Sequence, residues 1–245
     1  DGSRIAWATK GLEHGTGKFM SDVLEEELGT RYPAAVVSGP TFALEVARGL
    51  PTALTVASNN PPFANELAAR LHGDVMRAYT SDDVLGVQLG GTVKNVLAIA
   101  AGITDSLELG ANSRAALITR GLAEIIRLGD AMGARRETLM GLAGVGDLIL
   151  TCTGDLSRNH TIGKRIGQGQ KLSDLLAEMH MVAEGVKTAR SSYAPAGPRP
   201  TARPRSCHAQ PSVDVAYHTS VRSQGKTFFE GSPVPKPYVF PEPLV

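Results

Sequence analysis

The first 81 residues alternate short apolar runs with stretches in which apolar positions recur every three or four residues. Glycine, proline or polar residues bound each apolar run, which is typical of buried strands. The intervening stretches have the spacing of amphipathic helices. This order predicts an α/β architecture. Strands are expected at residues 5–9, 34–38, 52–57 and 76–79, and helices at 15–28, 42–48 and 61–71.

Beyond residue 81 the pattern is that of helices alone. Apolar positions keep the helical spacing as far as residue 190. The sequence therefore predicts an α/β part at residues 1–81 and an all-helical part at 82–190, and ligand sites are common at such junctions. Breaks between the helices are expected near Gly102, Gly110, Gly133, Gly154 and Gly169.

The last segment, residues 191–245, loses both periodicities and holds ten of the fifteen prolines. Such a composition cannot bury enough apolar surface to offset the entropy of ordering the chain. The segment is predicted to be disordered or a non-native end. A proline-rich interaction segment is the alternative, although no consistent basic pattern flanks the prolines.

Composition narrows the function classes. The net charge of +1 gives no strong attraction to nucleic acid or to a membrane surface. Cys152 and Cys207 are far apart, which fits a reducing compartment, expected to be the cytoplasm, without a disulfide framework. No signal peptide is visible, and no apolar run reaches membrane-spanning length without a glycine or a charge. The chain lacks an initiator methionine and is expected to begin inside a longer gene product.

One lysine interrupts the most apolar part of the helical region. Lys94 follows two glycines and precedes Asn95 within residues 86–102. A lysine among apolar atoms loses hydration, so its pKa falls toward neutrality and it can exchange a proton in catalysis. The alternative is a lysine that extends its ammonium group to solvent. On a helix, the face of Lys94 carries small residues that leave room for a ligand: Gly90, Gly91, Ala98 and Ala101.

A glycine-rich segment at residues 141–153 supplies a carboxylate. Asp147 and Thr151 are four residues apart, so they share a helical face. Because a buried carboxylate needs a partner, Lys94 is the expected partner of Asp147. The alternative is a carboxylate at a helix N-terminus that the helix dipole stabilises.

A third candidate site begins the next helical stretch. Ser157 is suited to cap that helix, and the free backbone N–H groups beside Arg158 form a phosphate site. An ordinary cap with a surface arginine is the alternative. Lys10 and residues 38–43 each follow a predicted strand, where open α/β sheets bind their ligands. The histidines lack metal-ligand spacing, so no metal site is predicted.

Taken in order, several segments resemble the bacterial NAD(P)-dependent glycerol-3-phosphate dehydrogenases. The resemblance covers residues 5–190. It implies a Rossmann-like dinucleotide-binding domain followed by a helical domain for substrate binding and for a homodimer contact. The matching segments are ATKGLE at 8–13, SGPTFA at 38–43, GVQLGGTVKN at 86–95, GANSRAALITRGL at 110–122, GVGDLILTCT at 144–153, SRN at 157–159 and VAEG at 182–185.

The resemblance implies an activity and a set of site residues. The family interconverts dihydroxyacetone phosphate and sn-glycerol 3-phosphate with NAD or NADP, and so supplies glycerophospholipid synthesis. Lys94 is implied as the proton donor and acceptor, and Asp147 as the residue that positions Lys94 or the substrate hydroxyl. The positions implied to bind substrate are Lys10, Gly39, Thr41, Asn95, Thr151, Ser157, Arg158 and Asn159. The positions implied to contact the cofactor are Lys10, Ala43, Arg158 and Glu184.

The sequence departs from the family pattern at both ends. It does not contain the opening strand with its Gly-x-Gly-x-x-Gly phosphate loop, and residues 191–245 do not resemble the further helices of the family. Two alternatives stay open. One is an inactive fragment that binds only substrate or a partner chain. The other is a β-hydroxyacid dehydrogenase relative, in which the asparagine usually lies one helical turn beyond the lysine, whereas Asn95 is adjacent to Lys94.

Overall fold

The computed structural model describes residues 2–178, 185, 186 and 188, and it contains a mixed sheet followed by helices. The strands are β1 (Ile5–Trp7), β2 (Ala34–Ser38), β3 (Thr52–Ala57) and β4 (Met76–Ser81). The helices are α1 (Met20–Leu28), α2 (Ala43–Ala47), α3 (Pro61–Leu71), α4 (Val84–Ser106), α5 (Gly110–Met132), α6 (Arg136–Leu139), α7 (Asp147–Thr153), α8 (Arg158–Gly167) and α9 (Leu172–Glu178).

This order of elements confirms the predicted fold class, a Rossmann-like α/β part followed by helices. The domain limits at 1–81, 82–190 and 191–245 stay predictions. The predicted disorder of the tail concerns a segment that lies outside the described residues.

The described strands lie side by side in chain order. β1 is parallel to β2 and β3 is parallel to β4, whereas β2 and β3 are antiparallel. Alternate residues of β2 face opposite sides of the sheet. Ala35 belongs to an apolar cluster with Phe63 of α3, and Val36 to one with Val87 of α4. The sheet therefore has α3 on one face and α4 on the other.

Two helix limits differ from the sequence prediction by more than one residue. α1 begins at Met20 rather than at residue 15, because Gly15 and Gly17 have φ values of 92° and 70° and form a turn. α4 does not break near Gly102 but continues to Ser106. The glycine there serves a packing contact instead of ending the helix.

α4 is the central element of the helical part. Its first turn is capped by Asp83, whose Oδ1 accepts from the Gly86 N–H at 2.8 Å. By length and composition α4 could cross a membrane, but 83% of its most apolar stretch is buried inside the protein. That burial is the pattern of a core helix, around which α5, α7 and α8 pack.

Glycines let α4 and α8 approach to backbone contact. A Cβ at Gly102 would overlap the carbonyl oxygen of His160, and a Cβ at Gly163 would overlap that of Ile99. Neither position has room for a side chain, so the backbones of the two helices are in direct contact. This contact sets the separation of the helices that carry the candidate site residues.

Candidate active site

Lys94 lies in the buried middle of α4, opposite the first residue of α7. Its Nζ is 2.5 Å from Asp147 Oδ1, and only 6% of Lys94 and 1% of Asp147 is exposed. The ion pair predicted from the sequence is therefore confirmed, and a lysine extended to solvent does not fit this burial. Water screens a buried pair weakly, so the carboxylate holds the ammonium group in a defined position.

A second lysine shares the same carboxylate. Lys10 follows β1, and its Nζ donates to Asp147 Oδ2 at 2.6 Å and to the Gly39 carbonyl at 2.9 Å. The sequence identified Lys10 as a candidate, but its carboxylate partner lies 137 residues away and was not predicted. Two ammonium groups and one carboxylate make this cluster positive, which suits an anionic substrate.

Thr151 adds a hydroxyl to the surroundings of Lys94. Its Oγ1 lies 2.9 Å from Lys94 Nζ and donates to the Asp147 carbonyl at 2.6 Å. The predicted shared face of Asp147 and Thr151 is thus confirmed. The hydroxyl and the carboxylate approach the ammonium group together, so two of its three N–H bonds have fixed acceptors.

A π-helical turn, Leu142–Gly146, leads directly into α7 and so sets where Asp147 lies. Turns of this type are frequent at functional sites. The turn packs closely on α4, since a Cβ at Gly90 would lie 2.5 Å from the Ala143 carbonyl oxygen. Gly90, on the small-residue face of α4, therefore leaves the space for the turn that leads into Asp147.

Two asparagines connect α4 with α8 beside the lysines. Asn159 Nδ2 donates to Asn95 Oδ1 at 3.1 Å, and Asn95 Nδ2 donates to the Lys10 carbonyl at 3.3 Å. The backbone N–H of Gly185 donates to Asn159 Oδ1 at 3.1 Å. These bonds fix the orientation of both amides and bring together two of the implied substrate-binding positions.

Ser157 caps α8, as its position in the sequence predicted. Its Oγ accepts from the His160 N–H at 3.2 Å, and only 3% of the residue is exposed. Arg158, the first residue of the helix, is exposed. An exposed guanidinium therefore lies at a helix N-terminus, where the helix dipole favours an anion.

Gly39 and Thr41 lie in the loop that follows β2. The Gly39 carbonyl accepts from Lys10 Nζ at 2.9 Å and from Thr41 Oγ1 at 3.2 Å. A Cβ at Gly39 would lie 2.9 Å from Leu54 Cα, so this position has no room for a side chain. The loop is thereby held against β3 and joined to the lysine–aspartate cluster.

No hydrogen bond found within the described residues joins two of the implied cofactor positions to this cluster. Ala43 is the exposed first residue of α2, and Arg158 is exposed at the start of α8. Glu184 lies outside the described residues. The cofactor role of these positions stays a prediction. Across the described ranges, no group of three His, Cys, Asp or Glu side chains is placed to hold a metal ion.

Cys152 is completely buried on α7, next to Thr151. Burial raises the pKa of its thiol to about 12, and the positive charge of Lys94 opposes that rise only in part. The thiol is therefore neutral at ordinary pH and has the character of a small core side chain rather than of a nucleophile.

We expect this buried thiol to make folding sensitive to alkaline pH. The unfolded chain releases the Cys152 proton above a pKa of about 9, whereas the folded chain keeps it up to about 12. The free energy of unfolding should therefore fall across that window as the pH rises. Between pH 8 and pH 10, urea unfolding of the wild type should lose about 1.4 kcal/mol more than that of Cys152→Ala. Identical pH dependence in the two proteins would contradict the expectation.

Models of one protein family match most of the chain. Residues 1–72 match the NAD-dependent glycerol-3-phosphate dehydrogenase N-terminus, and residues 83–198 match the C-terminus of the same enzymes. The second match continues past residue 190, where the resemblance in the motifs ended.

Curated relatives carry the same description. A Thioalkalivibrio sulfidiphilus protein named glycerol-3-phosphate dehydrogenase [NAD(P)+] is 55% identical over 226 residues, which cover 92% of this chain and 68% of the relative. A protein of that name from Stenotrophomonas maltophilia is 56% identical over 188 residues, 77% of this chain and 55% of the relative. The chain thus spans between about half and two thirds of the length of these relatives.

Solved structures agree with these matches. Glycerol-3-phosphate dehydrogenase from Coxiella burnetii is 49% identical with a TM-score of 0.75, covering 78% of this chain and 58% of that one. The enzyme from Saccharomyces cerevisiae is 31% identical with a TM-score of 0.68, covering 77% and 57% of the two chains. By its sequence, its fold and its relatives, this chain belongs to the NAD-dependent glycerol-3-phosphate dehydrogenase family.

Proposed function

We propose that the chain interconverts dihydroxyacetone phosphate and sn-glycerol 3-phosphate, with NAD or NADP as the hydride carrier. The observation that carries the proposal is the buried Lys94–Asp147–Lys10 cluster, whose two ammonium groups share one carboxylate. A lysine held in this way is suited to donate a proton to an oxygen that gains negative charge. The exposed guanidinium of Arg158 adds a site for the phosphate group.

In the direction of reduction, a nicotinamide held by Lys10, Ala43 and Arg158 would supply the hydride for the carbonyl carbon of the substrate. The carbonyl oxygen becomes an alkoxide, and Lys94 donates its proton to that oxygen. Asp147 and Thr151 aim the ammonium group, since their oxygens lie 2.5 Å and 2.9 Å from Lys94 Nζ. Lys10 adds positive charge beside the developing alkoxide, which stabilises the transition state.

The residues at the end of β2 fit a nicotinamide cofactor. Ser38 Oγ is buried there, with no hydrogen-bond partner among the residues that the structure describes, so a polar group of a ligand could satisfy it. Lys10 lies next to it, since both side chains flank the position where Gly91 leaves no Cβ. We propose that Lys10, Ala43 and Arg158 contact the cofactor. Glu184, which lies outside the described residues, is proposed as a fourth contact.

The proposed setting is the cytoplasm, where the product would enter glycerophospholipid synthesis. Cys152 supports a reducing compartment, because it is a free thiol in the described part of the chain. In the cytoplasm, glutathione and thioredoxin keep such thiols reduced, and the burial of Cys152 protects it further.

Oxidation of NADPH by dihydroxyacetone phosphate tests the proposal directly. The rate of NADPH oxidation is measured with this chain and with a flanked chimera. In the flanked chimera, the chain is extended by those residues of the Thioalkalivibrio sulfidiphilus relative that lie outside the matched region. Turnover by the chimera that depends on both NADPH and dihydroxyacetone phosphate is the expected result. A folded chimera that binds neither compound would refute the proposed function.

We expect Arg158→Ala to weaken dihydroxyacetone phosphate binding by about 1.5–3 kcal/mol, because a charge-assisted hydrogen bond to phosphate is lost. The KM of the flanked chimera for this substrate is the measurement. Unphosphorylated dihydroxyacetone should lose nothing.

The matched control for Arg158 is Arg165→Ala, which removes an arginine from the last turn of the same helix. This variant should keep the KM of the wild type. Equal losses for the phosphorylated and unphosphorylated substrates, or equal losses in the two arginine variants, would contradict a phosphate role for Arg158.

A further inference from the structure

A partly buried cluster of three side chains lies directly behind the first turn of α8. His160 Nε2 is 2.8 Å from Asp105 Oδ2, near the end of α4. Arg114 of α5 donates through Nη1 to both Asp105 oxygens, at 3.0 Å and 2.9 Å. Only 1% of His160 is exposed. The cluster thus joins α4, α5 and α8, and none of its members has a place in the proposed reaction.

The hydrogen-bond roles in this cluster follow from its chemistry. A carboxylate that accepts from Arg114 offers only acceptor positions, so His160 Nε2 carries the proton and donates to Asp105. His160 Nδ1 is buried and has no hydrogen-bond partner within the described ranges. Among the described residues, the bond to Asp105 is therefore the polar contact that orients the imidazole ring of His160.

His160 is also tied to the start of the helix through its backbone. Its N–H donates to the Ser157 cap, and its carbonyl oxygen lies against Gly102 with no room for a Cβ between them. Asn159 is its neighbour in the chain and donates to Asn95. The backbone of His160 therefore joins the cap and the start of α8 to α4.

We infer that His160 is a positioning residue whose bond to Asp105 orients the first turn of α8 toward the substrate phosphate. The inference rests on the proposed function, in which Ser157, Arg158 and Asn159 meet that phosphate. Anion binding at a helix start depends on the directions of several N–H groups at once. A buried imidazole held by a partly buried carboxylate keeps those directions fixed before the ligand arrives, which lowers the entropy cost of binding.

Binding of glycerol 3-phosphate to the complete 245-residue chain, followed by isothermal titration calorimetry, tests the inference. His160→Leu keeps an apolar volume but removes the donor, and it should weaken binding about tenfold. His160→Gln places an amide nitrogen where Nε2 lies, and it should bind within about threefold of the wild type. Ile162→Val is the control, since Ile162 is buried on the same helix outside the cluster.

Each outcome decides the inference. Rescue by glutamine, together with loss in leucine and wild-type binding in the Ile162→Val control, supports it. Equal binding by His160→Leu and the wild type overturns it. Equal losses in the leucine and glutamine variants, or in the leucine variant and the control, overturn it as well, because they reveal a general loss of stability. A wild-type chain that binds no glycerol 3-phosphate overturns the proposed function, and the inference with it.

Discussion

Replacing Lys94 with methionine should lower the kcat of the flanked chimera by about 10²–10⁴-fold, the usual contribution of a general acid. Methionine matches the length and apolar stem of lysine, so the core of α4 should stay packed. Only the proton donor is removed. Lys10 remains to neutralise Asp147, which it contacts at 2.6 Å. The loss should therefore appear in kcat, while the KM for dihydroxyacetone phosphate changes far less.

The matched control is Lys171→Met, which removes an exposed lysine that precedes α9. This variant should have the kcat of the unchanged chimera. Steady-state rates of NADPH oxidation at neutral pH, with saturating substrate, give the comparison. A Lys94→Met protein with a kcat within about threefold of the control would remove Lys94 from the proton transfer.

Asp147→Ala should cost about 3–5 kcal/mol of the free energy of unfolding, because it leaves Lys94 buried without its carboxylate. The side chain of Lys94 is 8% exposed and that of Asp147 is 2% exposed, so solvent cannot replace the lost partner. Lys10 is more exposed, at 15%, and its ammonium group can turn toward water. Most of the loss should therefore come from Lys94. Urea unfolding of the 245-residue chain measures it.

A double substitution separates the loss of the ion pair from the cavity that alanine leaves. Lys94→Met combined with Asp147→Leu removes both charges and fills the space with apolar atoms. This protein should regain most of the stability that Asp147→Ala loses, since a buried pair replaced by apolar groups is often near neutral. If the free energy of unfolding of Asp147→Ala lies within about 1 kcal/mol of the wild-type value, Lys94 and Asp147 do not form a buried pair from which water is excluded.

Part of the candidate site can be predicted from single segments of the sequence, and part depends on how those segments pack together. Lys94 stands out in the sequence as one charge within an apolar helix, and a buried charge requires a partner. That requirement was enough to predict its pairing with Asp147, which is now confirmed. It was not enough to predict that Lys10 binds the second oxygen of the same carboxylate. That Lys94 needs a carboxylate partner does not show how many other groups bind the same carboxylate.

The limits of strands and helices could be predicted from local sequence where residues that favour turns or helix caps mark their ends. β2, β3 and α3 have the predicted limits, because glycine, proline and asparagine mark their ends. Local pattern failed at Gly102, which was expected to end a helix. A glycine in the sequence signals the absence of a side chain, but the reason for that absence lies on another element. Here the reason is the His160 carbonyl of α8, which needs the space.

By itself, the sequence indicated the order of strands and helices and the helix cap at Ser157. Each depends on residues that are neighbours along the chain, so periodicity and capping chemistry suffice. The tertiary structure alone decided that Asn95 meets Asn159 across 64 residues and that His160 meets Asp105 across 55. Periodicity identifies the face of a helix but not the helix that packs on it. That choice depends on the close approach of α4 and α8, which two glycines on different elements permit together.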